Sequence, residues 1–278
     1  MSGGFWINGV DADALTVLDR GLHYGDGLFE TLAVTDGEIG LLDYHLERLR
    51  DGCQRLAMPE PPSGLREELL AAAAGQSRAV LKLLFTRGAG GRGYLPPEDP
   101  APTRILIRYP WPDHLQDHVD AGVRVRVCST RLGRNPRLAG VKHLNRLEQV
   151  LARSEWRRWD GIAEGLMLDE GGLVIEGTMS NVFAVHGDGR LATPALAQCG
   201  IAGVMRRHLM LQAGREDMPV WTVDLSLTEL LRAQEIFVCN SIIGVWPVIG
   251  VDGQAFEIGP VTRRAQQWAM QARSGREI

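Results

Sequence analysis

Two prolines on either side of a tryptophan, Pro110-Trp111-Pro112, constrain the fold more than any other feature of this sequence. Proline fixes its own φ and lacks an N–H, so neither a strand nor a helix runs easily through such a tripeptide. On each side of it, strands with tight turns alternate with helices, a pattern typical of α+β layers. The sequence therefore predicts a two-domain α+β chain, with a small N-terminal α/β domain at 1–110, a linker at 111–121 and a larger domain at 122–278.

Local signals mark several elements within these parts. Asp36-Gly37 tolerates the positive φ of a type I′ turn and predicts a hairpin. Asp43 is predicted to cap a helix that runs to Leu56. In the second part, apolar spacing predicts a helix at Ala202–Ala213. Ser226-Leu-Thr-Glu229 matches a capping box and predicts another helix start.

Lysine is scarce in this chain: Lys82 and Lys142 stand among 30 lysines and arginines. A position that needs only positive charge accepts arginine, whereas an amine that must lose a proton and attack a carbonyl cannot be a guanidinium. Lys142 follows a loop with Gly, Asn and Pro, and leucines recur at helical spacing through Val141–Arg153. The pattern predicts that Lys142 lies at a loop–helix junction, as a reactive amine or as an ordinary lysine that begins a helix.

A glycine-rich segment, Gly88–Gly93, follows a predicted strand and matches the GxGxxG pattern. In dinucleotide-binding proteins this pattern opens a helix whose N-terminus holds the pyrophosphate. Here Pro96-Pro97 follows soon after, which argues against such a helix. The favoured prediction is a flexible loop that carries Arg92 and Tyr94 toward an anionic substrate.

Several classes of function are disfavoured. His114 and His118 have the i,i+4 spacing of a helical metal pair, but no third ligand lies at motif distance, so a solvated helix is predicted and no metal site. The net charge of −4 comes without a basic stripe, so nucleic acid is not an expected partner. No uncharged run approaches the ~20 residues of a membrane span. Scattered cysteines and the lack of a signal peptide predict a cytoplasmic protein with reduced thiols.

Three further positions are candidates for binding. Glu176 ends the apolar strand Leu173–Glu176 and either faces solvent or hydrogen-bonds a basic ring nitrogen; strand alternation does not decide between these. Small residues at Cys199–Gly203 precede a helix and leave backbone N–H groups that attract an anion such as a phosphate. Arg48 is a candidate bidentate partner of that phosphate or, equally, a surface arginine.

Taken in order along the chain, these residues and their neighbours resemble the fold-type IV family of pyridoxal-phosphate enzymes. The resemblance is carried by Asp19-Arg20-Gly21, Tyr24–Glu30, His45–Leu49, Lys142 and Glu176–Phe183. It implies a larger C-terminal domain with a β-barrel-like core. It also implies a homodimer, with the cofactor held between the two domains.

The resemblance also implies site residues. Lys142 would bind pyridoxal 5'-phosphate covalently and later move protons, and Glu176 would keep the pyridine nitrogen protonated. The implied phosphate ligands are Arg48, the backbone at Ile201 and Ala202, and Asn240 or Ser241. The implied substrate contacts are Phe29, Arg92, Tyr94 and, as a candidate for a second carboxylate, Arg104.

Within the family, three stretches are similar to aminodeoxychorismate lyases: Thr86–Tyr94, Arg131–Gly140 and Lys142–Leu151. This similarity implies conversion of 4-amino-4-deoxychorismate to 4-aminobenzoate and pyruvate in folate biosynthesis. An aminotransferase that acts on D-alanine or branched-chain amino acids is the alternative, because it would use the same cofactor residues. A non-catalytic dinucleotide-binding module is a distant alternative.

Overall fold

The computed structural model describes residues 4–112, 115–187, 189–218 and 220–273. The chain divides into two compact units. Unit 1 comprises residues 1–111, 141–145 and 273–278, and unit 2 comprises residues 112–140 and 146–272. The short segment that contains Lys142 thus belongs to unit 1, although the sequence analysis placed it in the domain at 122–278.

Unit 1 is built on a sheet of six strands within its described residues. These are β1 (Phe5–Ile7), β2 (Val10–Asp11), β3 (Gly27–Thr35), β4 (Glu38–Ile39), β5 (Arg78–Thr86) and β6 (Thr103–Pro110). Their order is β2-β1-β6-β5-β3-β4, and each pairing is antiparallel. Asp36 and Gly37 have φ values of 52° and 81° in the β3–β4 turn, which confirms the predicted hairpin.

The helices of unit 1 are α1 (Arg20–Tyr24), α2 (Leu42–Arg55) and α3 (Leu65–Ala73). The prediction that Asp43 caps α2 is wrong: the N-cap is Leu41, in a left-handed conformation and without a side-chain hydrogen bond. Asp43 lies in the first turn of the helix and pairs with Arg66. The apolar faces of α2 and α3 are buried in one core with the sheet, so β3 and α2 are held in fixed register.

Unit 2 is organised around a sheet of ten strands within its described residues. These are β7 (Val123–Leu132), β8 (Glu164–Asp169), β9 (Leu173–Gly177), β10 (Asn181–Val185), β11 (Leu191–Pro194), β12 (Val220–Val223), β13 (Leu225–Ser226), β14 (Glu235–Asn240), β15 (Gly244–Val251) and β16 (Gln254–Ala255). The main path runs β12-β11-β10-β14-β15-β7-β8-β9-β13. Every residue of β8 and β10 is buried, as expected for strands covered on both faces. The sheet is nearly closed, which confirms the predicted barrel-like core.

Helices cover this sheet. They are α4 (Leu115–Ala121), α5 (Leu147–Arg153), a 3₁₀ turn (Arg158–Asp160), α6 (Val204–Arg215), α7 (Leu227–Leu231) and α8 (Pro260–Arg273). The capping box at the start of α7 is confirmed, with Ser226 and Glu229 bonded reciprocally. In the part of the chain described, no helix is both long and apolar enough to cross a membrane.

The predicted histidine pair falls partly outside the structure. His114 lies outside the described residues, and His118 packs edge-on against Trp246 with ring centroids 4.6 Å apart. Across the described residues, no group of three histidine, cysteine or acidic side chains is arranged to hold a metal ion.

The helix predicted to begin near Lys142 begins only at Leu147. The backbone N–H of Phe29 donates to the carbonyl of Lys142 at 3.0 Å, and the N–H of Leu144 donates to the carbonyl of Gly27 at 3.0 Å. Residues 142–144 are therefore extended, because they pair with the start of β3 instead of forming a helical turn. The predicted apolar face of the helix is also wrong, since Leu147, Val150 and Leu151 are exposed.

Candidate functional site

Lys142 lies against Phe29 in unit 1. The Lys142 side chain is half-buried, and its Nζ lies 4.2 Å from the centroid of the Phe29 ring. The backbone pairing of residues 142–144 with β3 fixes this contact, since Phe29 belongs to the paired strand. The structure thus brings the candidate reactive amine together with one of the predicted substrate residues.

Glu30, the next residue of β3, points to the opposite face of the strand and is 2% exposed. Arg48 donates from Nε to Oε1 of Glu30 at 2.8 Å and from Nη2 to Oε2. Nδ1 of His45 bonds Oε2 at 2.6 Å. We call Glu30, His45 and Arg48 the buried ion cluster.

Protonation in the buried ion cluster follows from burial and charge. Burial would raise the pKa of Glu30, but the Arg48 charge and the hydrogen bonds outweigh it and lower the pKa to about 2. Burial lowers the pKa of His45, and the Arg48 and Lys142 charges add to that effect against the opposing pull of Glu30. His45 is therefore neutral at pH 7, with its proton on Nδ1, because an ionised carboxylate only accepts hydrogen bonds. A phosphate on Arg48 would have to share the guanidinium with Glu30.

The loop that carries Arg92 and Tyr94 is held by its backbone. The buried guanidinium of Arg20 donates to the carbonyls of Gly93 at 3.1 Å, Tyr94 at 3.0 Å and Leu95 at 3.3 Å. The side chains of Arg92 and Tyr94 remain exposed. Arg20 therefore fixes the path of the loop and leaves the two predicted substrate residues accessible.

Asp26 holds Arg20 in place. Its Oδ2 accepts from Nε of Arg20 and from Nε of Arg87, each at 2.8 Å. Arg87 in turn donates to the carbonyls of Leu56 at 2.8 Å and Ala57 at 2.7 Å, just after α2. The loop is thus tied to the same helix that carries Arg48.

The glycines of the GxGxxG segment serve the packing of this loop. Gly88 has a φ of 89°, and a Cβ there would lie 1.8 Å from the carbonyl oxygen of Ala101. A Cβ at Gly90 would lie 2.7 Å from the Arg20 side chain. No helix is found between β5 and β6, a stretch that the structure describes throughout. The dinucleotide-binding alternative therefore lacks the helix that it requires.

Arg104 already has a carboxylate partner. It donates from Nε to Oε2 of Glu68 at 3.0 Å and from Nη2 to Oε1 at 2.7 Å. This bidentate pair uses the fork that a substrate carboxylate would need. The role predicted for Arg104 would require displacing Glu68.

In unit 2, Glu176 is 3% exposed at the end of β9. Of the two interpretations that the sequence left open, the solvent-facing one is therefore wrong. Its Oε2 accepts from the backbone N–H of Ile201 at 2.8 Å. Burial lowers the pKa of Arg146, and the nearby charge of Glu176 opposes that shift. Arg146 had no predicted role, and nothing in its spacing sets it apart from the other arginines.

Glu164, another residue that the sequence analysis missed, organises the turn that follows Glu176. It is fully buried and accepts hydrogen bonds from the N–H groups of Gly165 at 2.8 Å, Thr178 at 3.0 Å and Met179 at 3.2 Å. The hydroxyls of Thr178 and Ser180 also donate to it. One available signal was an acid at the start of a strand that is otherwise mostly apolar.

The backbone groups predicted to bind phosphate also have protein partners. The N–H of Ile201 donates to Glu176, and the N–H of Ala202 donates to the carbonyl of Gly140 at 3.1 Å. Gly203 follows as the N-cap of α6, which has no side-chain hydrogen bond at this end. A phosphate at this place would replace the acceptors of Ile201 and Ala202 or use the first turn of α6.

Asn240 shapes the turn between β14 and β15. Its Nδ2 donates to the carbonyl of Met179 at 2.9 Å, and its Oδ1 accepts from the N–H groups of Ile242 and Ile243, both at 2.8 Å. Ser241 is part of the same turn. Asn240 therefore connects this turn to the one that Glu164 organises.

Comparison with known proteins places this geometry in context. Residues 27–251 match the family described as amino-transferase class IV. An aminodeoxychorismate lyase of Vibrio harveyi is 38% identical over 269 residues, which cover 94% of this chain and 98% of that protein.

Two solved structures are also similar. 4-Amino-4-deoxychorismate lyase from Pseudomonas aeruginosa matches with a TM-score of 0.91 and 50% identity, over 95% of this chain and 97% of that one. Escherichia coli branched-chain amino acid aminotransferase matches with a TM-score of 0.84 and 30% identity, over 95% and 92% of the two chains.

Proposed function

Because the chain belongs to the amino-transferase class IV family and has the fold-type IV architecture of its relatives, we propose that it is a pyridoxal-phosphate-dependent lyase. The reaction converts 4-amino-4-deoxychorismate to 4-aminobenzoate and pyruvate, a step of folate biosynthesis. The observation that carries the proposal is the placement of Lys142 on Phe29 in a chain 50% identical to a lyase of this specificity.

The residues present suit the cofactor. Lys142 offers a primary amine that can condense with an aldehyde, and Glu176 offers a buried carboxylate that only accepts hydrogen bonds. Such a carboxylate favours a protonated pyridine nitrogen. When bound, the cofactor supplies an aldehyde for amines and a ring that withdraws electrons from the adjacent carbon.

Lys142 has two tasks in this proposal. It binds the cofactor through Nζ until the substrate amine takes its place, and the released Nζ then removes the proton from C4 of the substrate. The C3–O bond breaks, the enolpyruvyl group leaves with a proton to become pyruvate, and the ring becomes aromatic. The face of Phe29 beneath Nζ stabilises the ammonium form that results from the proton transfer.

Binding of the anionic groups is divided among the other candidates. Arg92 and Tyr94 bind one substrate carboxylate from a loop whose backbone Arg20 has already ordered, which lowers the entropy cost of binding. The phosphate is assigned to Arg48, the first turn of α6 with Ile201 and Ala202, and the turn of Asn240 and Ser241.

We also propose that the protein is a cytoplasmic homodimer. Support for the compartment comes from the four cysteines, which are free and buried, as is usual where thiols stay reduced. Cross-linking and light scattering of the purified protein test the assembly.

A paired assay separates the lyase from the aminotransferase. The purified enzyme with cofactor is expected to release 4-aminobenzoate from 4-amino-4-deoxychorismate. Amino transfer from D-alanine or a branched-chain amino acid to 2-oxoglutarate is expected to be slow in comparison. Transfer without any release of 4-aminobenzoate would assign the chain to the aminotransferases of the family.

Replacement of the amine tests the role of Lys142. Lys142→Arg is expected to be as damaging as Lys142→Ala, with a loss of roughly a thousandfold or more in kcat, because the guanidinium keeps the charge but cannot condense with an aldehyde. Both variants should also lack the visible absorption band of the bound cofactor. Near-full activity of Lys142→Arg would refute the argument.

A further inference from the structure

The two lysines of the chain meet at one aromatic ring. Nζ of Lys142 lies 4.2 Å from the Phe29 centroid, and Nζ of Lys82 lies 5.5 Å from it. Lys82 is on β5 opposite Thr31 of β3, and Thr31 and Phe29 share a face of their strand because they are two residues apart. Lys82 therefore stands beside the reacting amine and on the same side of the sheet as Phe29.

Lys82 differs from the other basic residues of this region in its partners. Arg48 pairs with Glu30, and Arg104 pairs with Glu68. Lys82 is half-buried, and among the described residues no carboxylate forms a salt bridge with it. A half-buried cation without a counter-ion provides a site for an anion.

We propose that Lys82 binds the ring carboxylate of the substrate, the role for which the sequence suggested Arg104. This assignment rests on the proposed lyase function. In 4-amino-4-deoxychorismate the ring carboxylate stands across the six-membered ring from the amine, and that ring is close in size to a phenyl group. A substrate ring stacked near Phe29 with its amine at Lys142 brings its carboxylate toward Lys82.

The choice of lysine also fits the chemistry. A guanidinium binds a carboxylate in one planar geometry, whereas an ammonium is a compact charge with three rotatable donors. A compact cation leaves room for a substrate ring against Phe29. Lys82 thus accounts for the second lysine in a chain that otherwise uses arginine.

The test uses the product, because 4-aminobenzoate retains the ring carboxylate but lacks the enolpyruvyl carboxylate. Lys82→Met keeps the apolar length of the side chain and removes the charge. With holoenzyme, we expect two constants to rise about ten- to a hundredfold, the range of a hydrogen bond to a charged group. They are the Kd for the product, measured by calorimetry, and the KM for the lyase substrate. We expect kcat to change by less than about threefold, since the lost contact is made equally before and during the reaction.

Two further variants separate this role from a structural one. Lys82→Arg restores the charge and should recover part of the product affinity. Arg108→Met is the matched control, because Arg108 is also half-buried, on the adjacent strand β6, and contacts the Trp6 ring at 5.4 Å. It should leave the affinity for the product unchanged.

Hydroxylamine, an amine without a carboxylate, reports on Lys142 alone. Its rate of reaction with the bound cofactor, followed by the visible absorption band, should be the same in wild type and Lys82→Met. An unchanged product affinity in Lys82→Met would overturn the proposal, as would a hydroxylamine rate altered as much as the KM for the substrate. If wild-type protein releases no 4-aminobenzoate from the substrate, the lyase function itself fails, and the paired assay detects that separately.

Discussion

Each unit contains a buried glutamate that lies one step behind a candidate site residue, and the two are stabilised in different ways. Glu30 in unit 1 is bound by the guanidinium of Arg48 and the imidazole of His45. Glu164 in unit 2 is bound by N–H and O–H groups that are all uncharged. Burying a carboxylate is costly, and these are two solutions to the same cost.

The two solutions control different things. In unit 1 the carboxylate fixes the position of a cation, Arg48, which is itself a candidate for phosphate binding. In unit 2 the carboxylate gathers backbone N–H groups and so fixes the path of the turn from Gly177 to Ser180, next to Glu176. Changes at Glu30 should therefore act through charge, and changes at Glu164 through backbone geometry.

The largest effect is expected for Glu30→Ala. Removing the carboxylate leaves the largely buried guanidinium of Arg48 and the buried imidazole of His45 without their partner, which should lower the free energy of unfolding by about 3–5 kcal/mol. Chemical denaturation at pH 7 measures this loss. Cofactor binding should weaken as well, because Arg48 is no longer held.

Glu68→Ala is the matched control for this variant. Glu68 binds Arg104 through the same bidentate geometry, but the two side chains are 27% and 19% exposed. A pair so accessible to solvent is expected to contribute less than about 1 kcal/mol. A loss as large as that of Glu30→Ala would show that burial does not set the difference.

Acid should weaken unit 1 next. The pKa of Glu30 is about 2 in the folded protein against an ordinary value of 4.5, so the folded state binds this proton less readily than the unfolded state. Its contribution of about 3 kcal/mol is present above pH 4.5 and is lost as the pH falls toward 2. His45, whose pKa is also lowered, adds a loss that begins below its ordinary value of 6.5. In Glu30→Gln the part between pH 4.5 and 2 should disappear.

Thiol labelling locates this acid effect. Cys53 lies in the core of unit 1 and Cys239 in that of unit 2, and burial raises the pKa of each thiol to about 12. With a reagent that reacts in acid, such as dithiodipyridine, Cys53 should become accessible at a higher pH than Cys239. Labelling of Cys239 first would place the acid-sensitive step outside the buried ion cluster.

The smallest effect is expected for Glu164→Gln. Most hydrogen bonds survive, but the amide group of glutamine turns a donor toward the N–H of Met179, which can only donate. A cost of about 1–3 kcal/mol follows from one unsatisfied donor. Denaturation at several pH values should show the same cost at each between pH 5 and 8, since the defect is in hydrogen bonding. A loss that depends on salt concentration would point to an unrecognised charge partner.

Signals between neighbouring residues predicted much of the fold. The Asp36-Gly37 turn, the capping box at Ser226 and the barrel-like core were all found. The cap at Asp43 and the helix at Lys142 were wrong for a shared reason. In both cases the local pattern was adequate, but backbone geometry set by distant parts of the chain prevailed.

The candidate site was predictable only where chemistry was encoded in residue type. The scarcity of lysine drew attention to Lys142, and the family resemblance drew it to Arg48 and Glu176. The partners of these residues were not predictable in the same way. Glu30 pairs with Arg48 across 18 positions of sequence, and Glu164 reaches Ser180 across 16. Such contacts arise from strand register, which sequence spacing does not reveal.

The inclusion of residues 141–145 in unit 1 has a consequence for how this unit can be made. A fragment that ends before the proline break would contain all six strands of its sheet, yet the start of β3 would lose the backbone partners of Gly27 and Phe29. An uncovered strand edge invites pairing with other chains. On a ribosome, unit 1 is therefore incomplete until residue 145 has emerged, and its own boundary in the chain is a misleading place to cut.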